Sequence, residues 1–508
     1  MRTSGVLLPV FSLPSGSGIG CISKEAYSFI DWMHEAHQKY WQILPMGPAG
    51  SWNSPYQPLS CFAGDPVFID PETLFHKKLL TAQELRRCHS IFYTEKATRV
   101  NYELVHMDRH NILRKAFSRF QPDEGYDSFC AQNAEWLDDY ALFIALHDHF
   151  EDQSWTEWPE VLRTREADAI ARYRNELHTE IDFHRWAQYE FFTEWSALKE
   201  YAHSKGIQII GDIPFYVSYD SADCWMHPEL FKLGRRLRPT AVAGCPPDDF
   251  SPDGQLWGNP LYNWSAMKRD GYRWWIQRLR QNFRLYDVIR IDHFRGLESY
   301  FSIPANAESA SAGKWVCGPR MAFFRAVYKA FGRDCPLIAE DLGHITPAVR
   351  KLIRQSGLPG MKVLQFAFDG NPENPYLPEN FTTDCVVYTG THDNDTTFGW
   401  YNSLSRDAKR SVTEYIRDHH GIPSRGRHGT APVFGAASVT RHLVELAFYS
   451  KADTCIIPVQ DYLLLDSEAR INTPGTIGNN WNWRMTKAAL SEELAAYVAR
   501  LTHLSERG

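Results

Sequence analysis

Eight short apolar runs, each bounded by turn residues and separated by helical patterns, constrain this chain more than any other feature. In order they are "GVLLP" (5–9), "WQILP" (41–45), "IQIIGDIPF" (207–215), "YDVIRID" (286–292), "PLIAED" (336–341), "KVLQFAF" (362–368), "CVVYTG" (385–390) and "TCIIPVQ" (454–460). Strands covered on both faces read as near-continuous apolar runs, so these are expected to be buried parallel strands. Amphipathic helices are expected between them: 24–40 after the first run, and 346–357 after the fifth, with Thr346 as N-cap, Pro347 at N1 and Gly357 as the stop. Eight β-then-α units predict an α/β fold, a (β/α)8 TIM barrel. Residues 46–206 and 214–285 far exceed one crossover helix. They are expected to be long insertions on the βα loops after strands 2 and 3, the first largely helical over about 46–182 and the second loop-rich over about 214–285. Residues 1–508 then form a single barrel domain.

In such a barrel, chemistry collects at the C-terminal ends of the strands. Several of these ends carry an acid: Asp212 follows the third, Asp292 closes the fourth, Glu340 the fifth, Asp369 follows the sixth, and His392 with Asp393 lies beyond the seventh. Converging carboxylates raise one another's pKa, so such a concentration is costly without a use. In "VIRIDHFRG" (288–296), Arg290 and Asp292 share one face of the strand, roughly 7 Å apart, while Ile289 and Ile291 face the helix layer. Arg290 is expected to keep Asp292 ionised. Glu340 follows the apolar "LIA" with no cation beside it in sequence, and is the better candidate for a protonated acid. One charged nucleophile, one protonated acid and a third carboxylate are the set required for retaining glycoside chemistry through a covalent intermediate; the carboxyl separation that distinguishes retention from inversion is not in the sequence.

Composition narrows the partners. A net charge of −7 without basic blocks offers nothing to a phosphate backbone, which excludes nucleic acid. The ten cysteines are scattered singly, as in a cytosolic protein with reduced thiols. Prolines interrupt the apolar N-terminus, which reads as a first strand rather than a signal peptide, and no run approaches the roughly 20 residues that span a bilayer. A soluble cytoplasmic protein is expected. "LPSGSGIG" fits neither phosphate-loop pattern. His147 and His149 in "LHDHF" point about 200° apart on a helix and cannot share a metal from one face.

The segments "NSPYQPLSCFAGDPVFID" (53–70), "IIGDIPFYVSYDSADCW" (209–225), "PPDDFSPDGQLWGNPLYNW" (246–264), "VIRIDHFRG", "IAEDLG" (338–343), "GTHDNDT" (390–396) and "RINTPGT" (470–476) resemble, in order and almost end to end, the motifs of the amylomaltases, the 4-α-glucanotransferases of glycoside hydrolase family 77. The resemblance implies Asp292 as nucleophile, Glu340 as general acid/base and Asp393 as the carboxylate that grips sugar hydroxyls in the transition state. It implies Arg290, His392, Asp212, His293 and Asp369 as contacts to the sugar at the cleavage point, and Tyr56 and Trp257 as groove contacts. Phe250 falls in the loop that covers bound glucan in that family, Asn472 in a motif near the acceptor side, and Tyr102 resembles a tyrosine of a secondary glucan site. The expected partners are maltooligosaccharides and α-1,4-glucans as donors and glucose or a maltooligosaccharide as acceptor; neither metal nor organic cofactor is implied. One departure is Asp249, where the covering loop usually has Tyr or a small residue.

The competing readings differ in what they require. A buried ion pair alone would explain Arg290 with Asp292; Asp212 and Asp369 can close turns; Tyr56, Tyr102, Trp257 and Phe250 can simply pack loops. A hydrolase of α-glucans would use the same three carboxylates, but "DIPFYV" lacks the Asn-His that ends the corresponding α-amylase motif. A noncatalytic glycan-binding barrel predicts loss of at least one of the three acids, and all three are present.

Overall fold

The computed structural model describes residues 2–91, 98–247, 254–343, 345–419 and 434–508. Among these, twelve strands occur: β1 (Thr3–Leu7), β2 (Tyr40–Gln42), β3 (Gln208–Ile213), β4 (Ala241–Cys245), β5 (Gln255–Pro260), β6 (Val288–Ile291), β7 (Ser299–Pro304), β8 (Lys314–Cys317), β9 (Leu337–Ala339), β10 (Gly360–Val363), β11 (Cys385–Tyr388) and β12 (Thr454–Pro458). Eight of them form one sheet in the order β10-β11-β12-β1-β2-β3-β6-β9, with every ladder parallel. Between the two outer strands the Ala339 N–H donates to the Pro359 carbonyl at 2.9 Å, so the sheet is a nearly closed barrel. With helices around it, this is the expected (β/α)8 arrangement, and each of the eight apolar runs contributes one barrel strand.

Period-two alternation decides what each strand offers to each side. Leu7, Ile210, Ile338, Met361, Val363, Val386, Tyr388 and Ile456 fill the barrel interior. Their strand neighbours Ile209, Ile289, Ile291, Leu337, Cys385, Val387 and Ile457 pack outward in the larger core beneath the helices. Outward packing is tight enough to require glycine at one point: a Cβ on Gly211 would come within 2.0 Å of the Tyr286 ring. Helix 347–356 forms as its flanks dictate, with the Thr346 hydroxyl accepting from the Val349 N–H and Gly357 left-handed at φ 65°. The sixth run differs from expectation. Its strand spans 360–363, not 362–368, because residues 364–366 coil into a 3-10 turn whose Gln365 amide reaches across to the Asp395 carbonyl at 2.9 Å.

Between β2 and β3 the chain is helical over 71–76, 82–91, 102–117, 124–149, 160–163, 167–176 and 178–204. The 178–204 helix buries Trp186, Phe191, Trp195, Leu198 and Ala202 and is the long element leading into β3. After β3, strands β4 and β5 pair with β7 and β8 in an antiparallel sheet of order β5-β4-β7-β8, flanking the route out of β3 and β6.

Candidate active site

Asp212 and Arg290 face the interior from adjacent strands in direct register, which brings the Arg290 Nη1 to 2.5 Å from Asp212 Oδ2. Both side chains are buried. The same Nη1 lies 3.1 Å from Oδ1 of Asp292, one residue past the end of β6, whose carboxylate is 28% exposed and faces the cleft. The cation is therefore shared between two carboxylates. Arg290 opposes the rise in the Asp292 carboxyl, as expected of a cation that keeps it ionised, but burial is the larger effect and pushes the carboxyl up to about 6, which leaves it charged near neutrality.

Glu340, one residue past β9, is placed by backbone alone. Its Oε2 accepts from the His293 N–H at 2.8 Å and its Oε1 from the Leu342 N–H at 2.7 Å. His293 reaches this position because the chain turns left-handed there, at φ 44° and ψ 46°, a conformation that costs of order 1 kcal/mol or more in a residue with a Cβ. Burial pushes Glu340 up to about 8, Arg290 opposing and Asp292 adding to the rise. The two acids thus separate as the sequence implies: near neutrality Asp292 is the charged one and Glu340 carries a proton. The imidazole of His293 packs edge-on to Trp257 with ring centroids 5.0 Å apart, and beside Phe215 and Tyr216. Burial, reinforced by Arg295, pushes it down to about 3, so the ring is neutral.

The third acid stands opposite, on the loop after β11. Asp393 Oδ1 accepts from the Asn472 amide at 2.6 Å, and Oδ2 lies 3.3 Å from Nε2 of His392. Burial pulls the Asp393 carboxyl upward, but His392, Asn472 and Arg290 hold it well below the usual carboxylate range. The Tyr56 hydroxyl joins the two halves of the site: it donates to Asp212 Oδ2 at 2.8 Å and lies 2.8 Å from His392 Nε2. Its single proton goes to Asp212, so the proton in the second contact belongs to His392 Nε2. The tyrosine and imidazole rings stack at 5.2 Å. Burial raises the Tyr56 phenol well above its ordinary value, which keeps it a donor.

The structure brings together Asp212, Arg290, Asp292, His293, Glu340, His392, Asp393, Tyr56, Trp257 and Asn472. It does not bring in Asp369, which is exposed and accepts from the Asn371 N–H at 2.9 Å, closing its own turn. Tyr102 stands one layer behind: its hydroxyl donates to the Trp481 carbonyl at 2.7 Å, and Trp481 packs against Tyr56 and His392. Phe250 and Asp249 lie outside the described residues. Two participants escaped the sequence reading. Trp481 backs Tyr56 and His392, and Arg470 donates to the Asp393 carbonyl at 2.7 Å. The aromatic pair in "NNWNW" and the Arg that opens "RINTPGT" were the available signals. Among the described residues no group of three His, Cys, Asp or Glu is arranged to hold a metal ion.

The model of glycoside hydrolase family 77, described as 4-alpha-glucanotransferase, matches residues 8–490. The chain belongs to the 4-alpha-glucanotransferase family. It is 41% identical to the 4-alpha-glucanotransferase of Clostridium butyricum over 98% of this chain and 99% of that protein. It is 42% identical to that of Thermus thermophilus over 100% and 99%, respectively. Among solved structures, an amylomaltase from Streptococcus agalactiae in complex with acarbose matches with a TM-score of 0.93 at 37% identity, over 100% of both chains. As a 4-alpha-glucanotransferase, the protein is a glycosyltransferase acting on α-1,4-glucans, and the cleft above the barrel is where its carboxylates converge. No helix among the described residues is long and apolar enough to cross a membrane.

Proposed function

We propose that the enzyme works by retaining double displacement. Asp292 attacks the anomeric carbon of an α-1,4-linked glucose while Glu340 protonates the leaving oxygen, and the donor segment is held as a glycosyl ester on Asp292. Glu340, now a carboxylate, takes the proton from the 4-hydroxyl of an incoming glucose or maltooligosaccharide, and that oxygen displaces Asp292. What supports this reading is the different surroundings of the two acids: the Arg290 guanidinium lies 3.1 Å from Asp292, while Glu340 is held by the backbone N–H groups of His293 and Leu342, and burial pushes Glu340 higher than Asp292. Each oxygen of Glu340 accepts one backbone N–H, which fixes the carboxyl and leaves a second lone pair on each oxygen for a proton. Asp393, kept ionised, supports the positive charge that develops on the sugar ring, and Arg290, Asp212, His392, His293, Tyr56, Trp257 and Asn472 line the sugar at the cleavage point. The long segments about 46–182 and 214–285 act as insertions of one catalytic barrel and build the walls of the glucan groove, with Phe250 and Asp249 on the second. Donors are maltooligosaccharides and α-1,4-glucans, and the compartment is the cytoplasm.

Incubation with maltotriose tests the assignment. Glucose plus a ladder of longer maltodextrins is expected; reducing ends that rise with every cleavage and no ladder would make the protein a hydrolase. Asp292→Asn should remove both products and the glycosyl-enzyme mass adduct seen with a fluorinated donor, and an active variant would overturn the nucleophile assignment.

A further inference from the structure

Asp393 and Asn472 come from loops 79 positions apart in sequence, yet the amide of one must meet the carboxylate of the other at 2.6 Å. Hydrogen bonds to main-chain groups run through this junction. The Asn472 N–H donates to the His392 carbonyl at 3.1 Å, and the Trp481 N–H donates to the Ile471 carbonyl at 2.7 Å. Two more come from one side chain. Arg470 donates through Nε to the Asn472 carbonyl at 2.6 Å and through Nη2 to the Asp393 carbonyl at 2.7 Å. Its guanidinium is half-buried and makes no ion pair among the described residues. A planar fork with fixed donor directions relates two carbonyls rigidly, which a single ammonium on a flexible stem cannot do. Among the described residues, both hydrogen bonds of this guanidinium go to backbone oxygens of the two residues whose side chains meet in the cleft.

We propose that Arg470 is a positioning residue for the reaction: it sets the distance between the Asp393 and Asn472 backbones, and so aims the Asp393 carboxylate at the sugar in the transition state. The inference rests on the double-displacement reading above. It implies that Arg470 acts on kcat through Asp393 and Asn472, with little effect on the binding of ground-state glucan. Misaimed catalytic groups lose about ten- to hundred-fold in rate for displacements near 1 Å, which is the loss expected for Arg470→Ala.

The test is steady-state disproportionation of maltotriose by Arg470→Ala, Arg470→Lys, Asn472→Ala and the double variant. Arg470→Ala should lower kcat by about tenfold or more with KM within about twofold, and Arg470→Lys should recover part of the loss. In the Asn472→Ala background the same change should cost less than about threefold, because the two residues act as one unit. An unchanged kcat in Arg470→Ala, or an equal loss in both backgrounds, would overturn the proposal. Should Arg470→Ala not fold, Arg470→Lys and Arg470→Gln carry the same cycle with Asn472. A wild-type enzyme that forms no maltodextrin ladder would sink the functional reading instead, so the two failures are distinguishable.

Discussion

Burial pushes Asp292 up to about 6 and Glu340 up to about 8, and under the proposed double displacement these two acids set how activity depends on pH. In the proposed mechanism Asp292 attacks only when ionised, so kcat/KM should rise as pH passes upward through about 6, and Glu340 donates only when protonated, so activity should fall as pH passes through about 8. The product of the two fractions peaks near pH 7, with about four-fifths of the enzyme in the productive form, and drops by about tenfold at one pH unit outside either limb. Glu340→Gln separates the limbs. With a donor whose leaving group needs no proton, such as a maltosyl fluoride, the first displacement still runs in the variant. Its rate should then keep the acid limb and lose the alkaline one. Stopped assays across pH 4.5 to 9.5 at fixed ionic strength would read both profiles. An alkaline limb that survives unchanged in Glu340→Gln would refute the argument, because the titrating group would then lie elsewhere.

Two further outcomes follow from packing and from the bridging hydroxyl. Tyr56→Phe removes the donor to Asp212 and the acceptor for His392, so kcat/KM should fall by about ten- to hundred-fold, the equivalent of one hydrogen bond to a charged carboxylate, without a matching loss of thermal stability; an unchanged kcat/KM would make the bridge incidental. Gly211→Ala drives a methyl into the Tyr286 ring across a contact of 2.0 Å and should lower stability by about 1 to 3 kcal/mol in denaturant melts, a neutral result showing that the barrel wall can shift there.

Much of this arrangement could be read from the chain because it depends on local rules. Apolar runs of buried strands, the parity that puts Arg290 with Asp292 and Ile289 with Ile291, and the acids closing β6 and β9 all follow from a period of two and from the polarity of a parallel barrel. What sequence left out is the set of relations made through space. Arg290 is divided between Asp212 and Asp292 because β3 and β6 are in direct register, and no spacing in the chain shows that. The dominance of burial over that cation at Asp292 is likewise a property of the assembled cleft. Trp481 and Arg470 act on residues reached only when distant loops meet, so their types alone said little. Asp369 shows the opposite limit: it follows a strand-like run in sequence, but the run ends early in a 3-10 turn, and one oxygen of the exposed carboxylate closes its own turn. The antiparallel pair β7 and β8 is not legible as apolar runs: "SYFSIP" buries its four middle residues, two of them Tyr300 and Ser302, and "KWVC" is largely exposed.

The left-handed turn at His293 has a consequence for how such an enzyme can diverge. The group that steadies Glu340 from this position is an amide every amino acid but proline possesses, while the imidazole pointing away from it packs among Trp257, Phe215 and Tyr216. Position 293 can therefore exchange its side chain, and with it the packing against Trp257, while Glu340 stays anchored. Side-chain packing and the anchoring of Glu340 are uncoupled at a single residue, with asparagine and glycine as the replacements that the backbone geometry tolerates best.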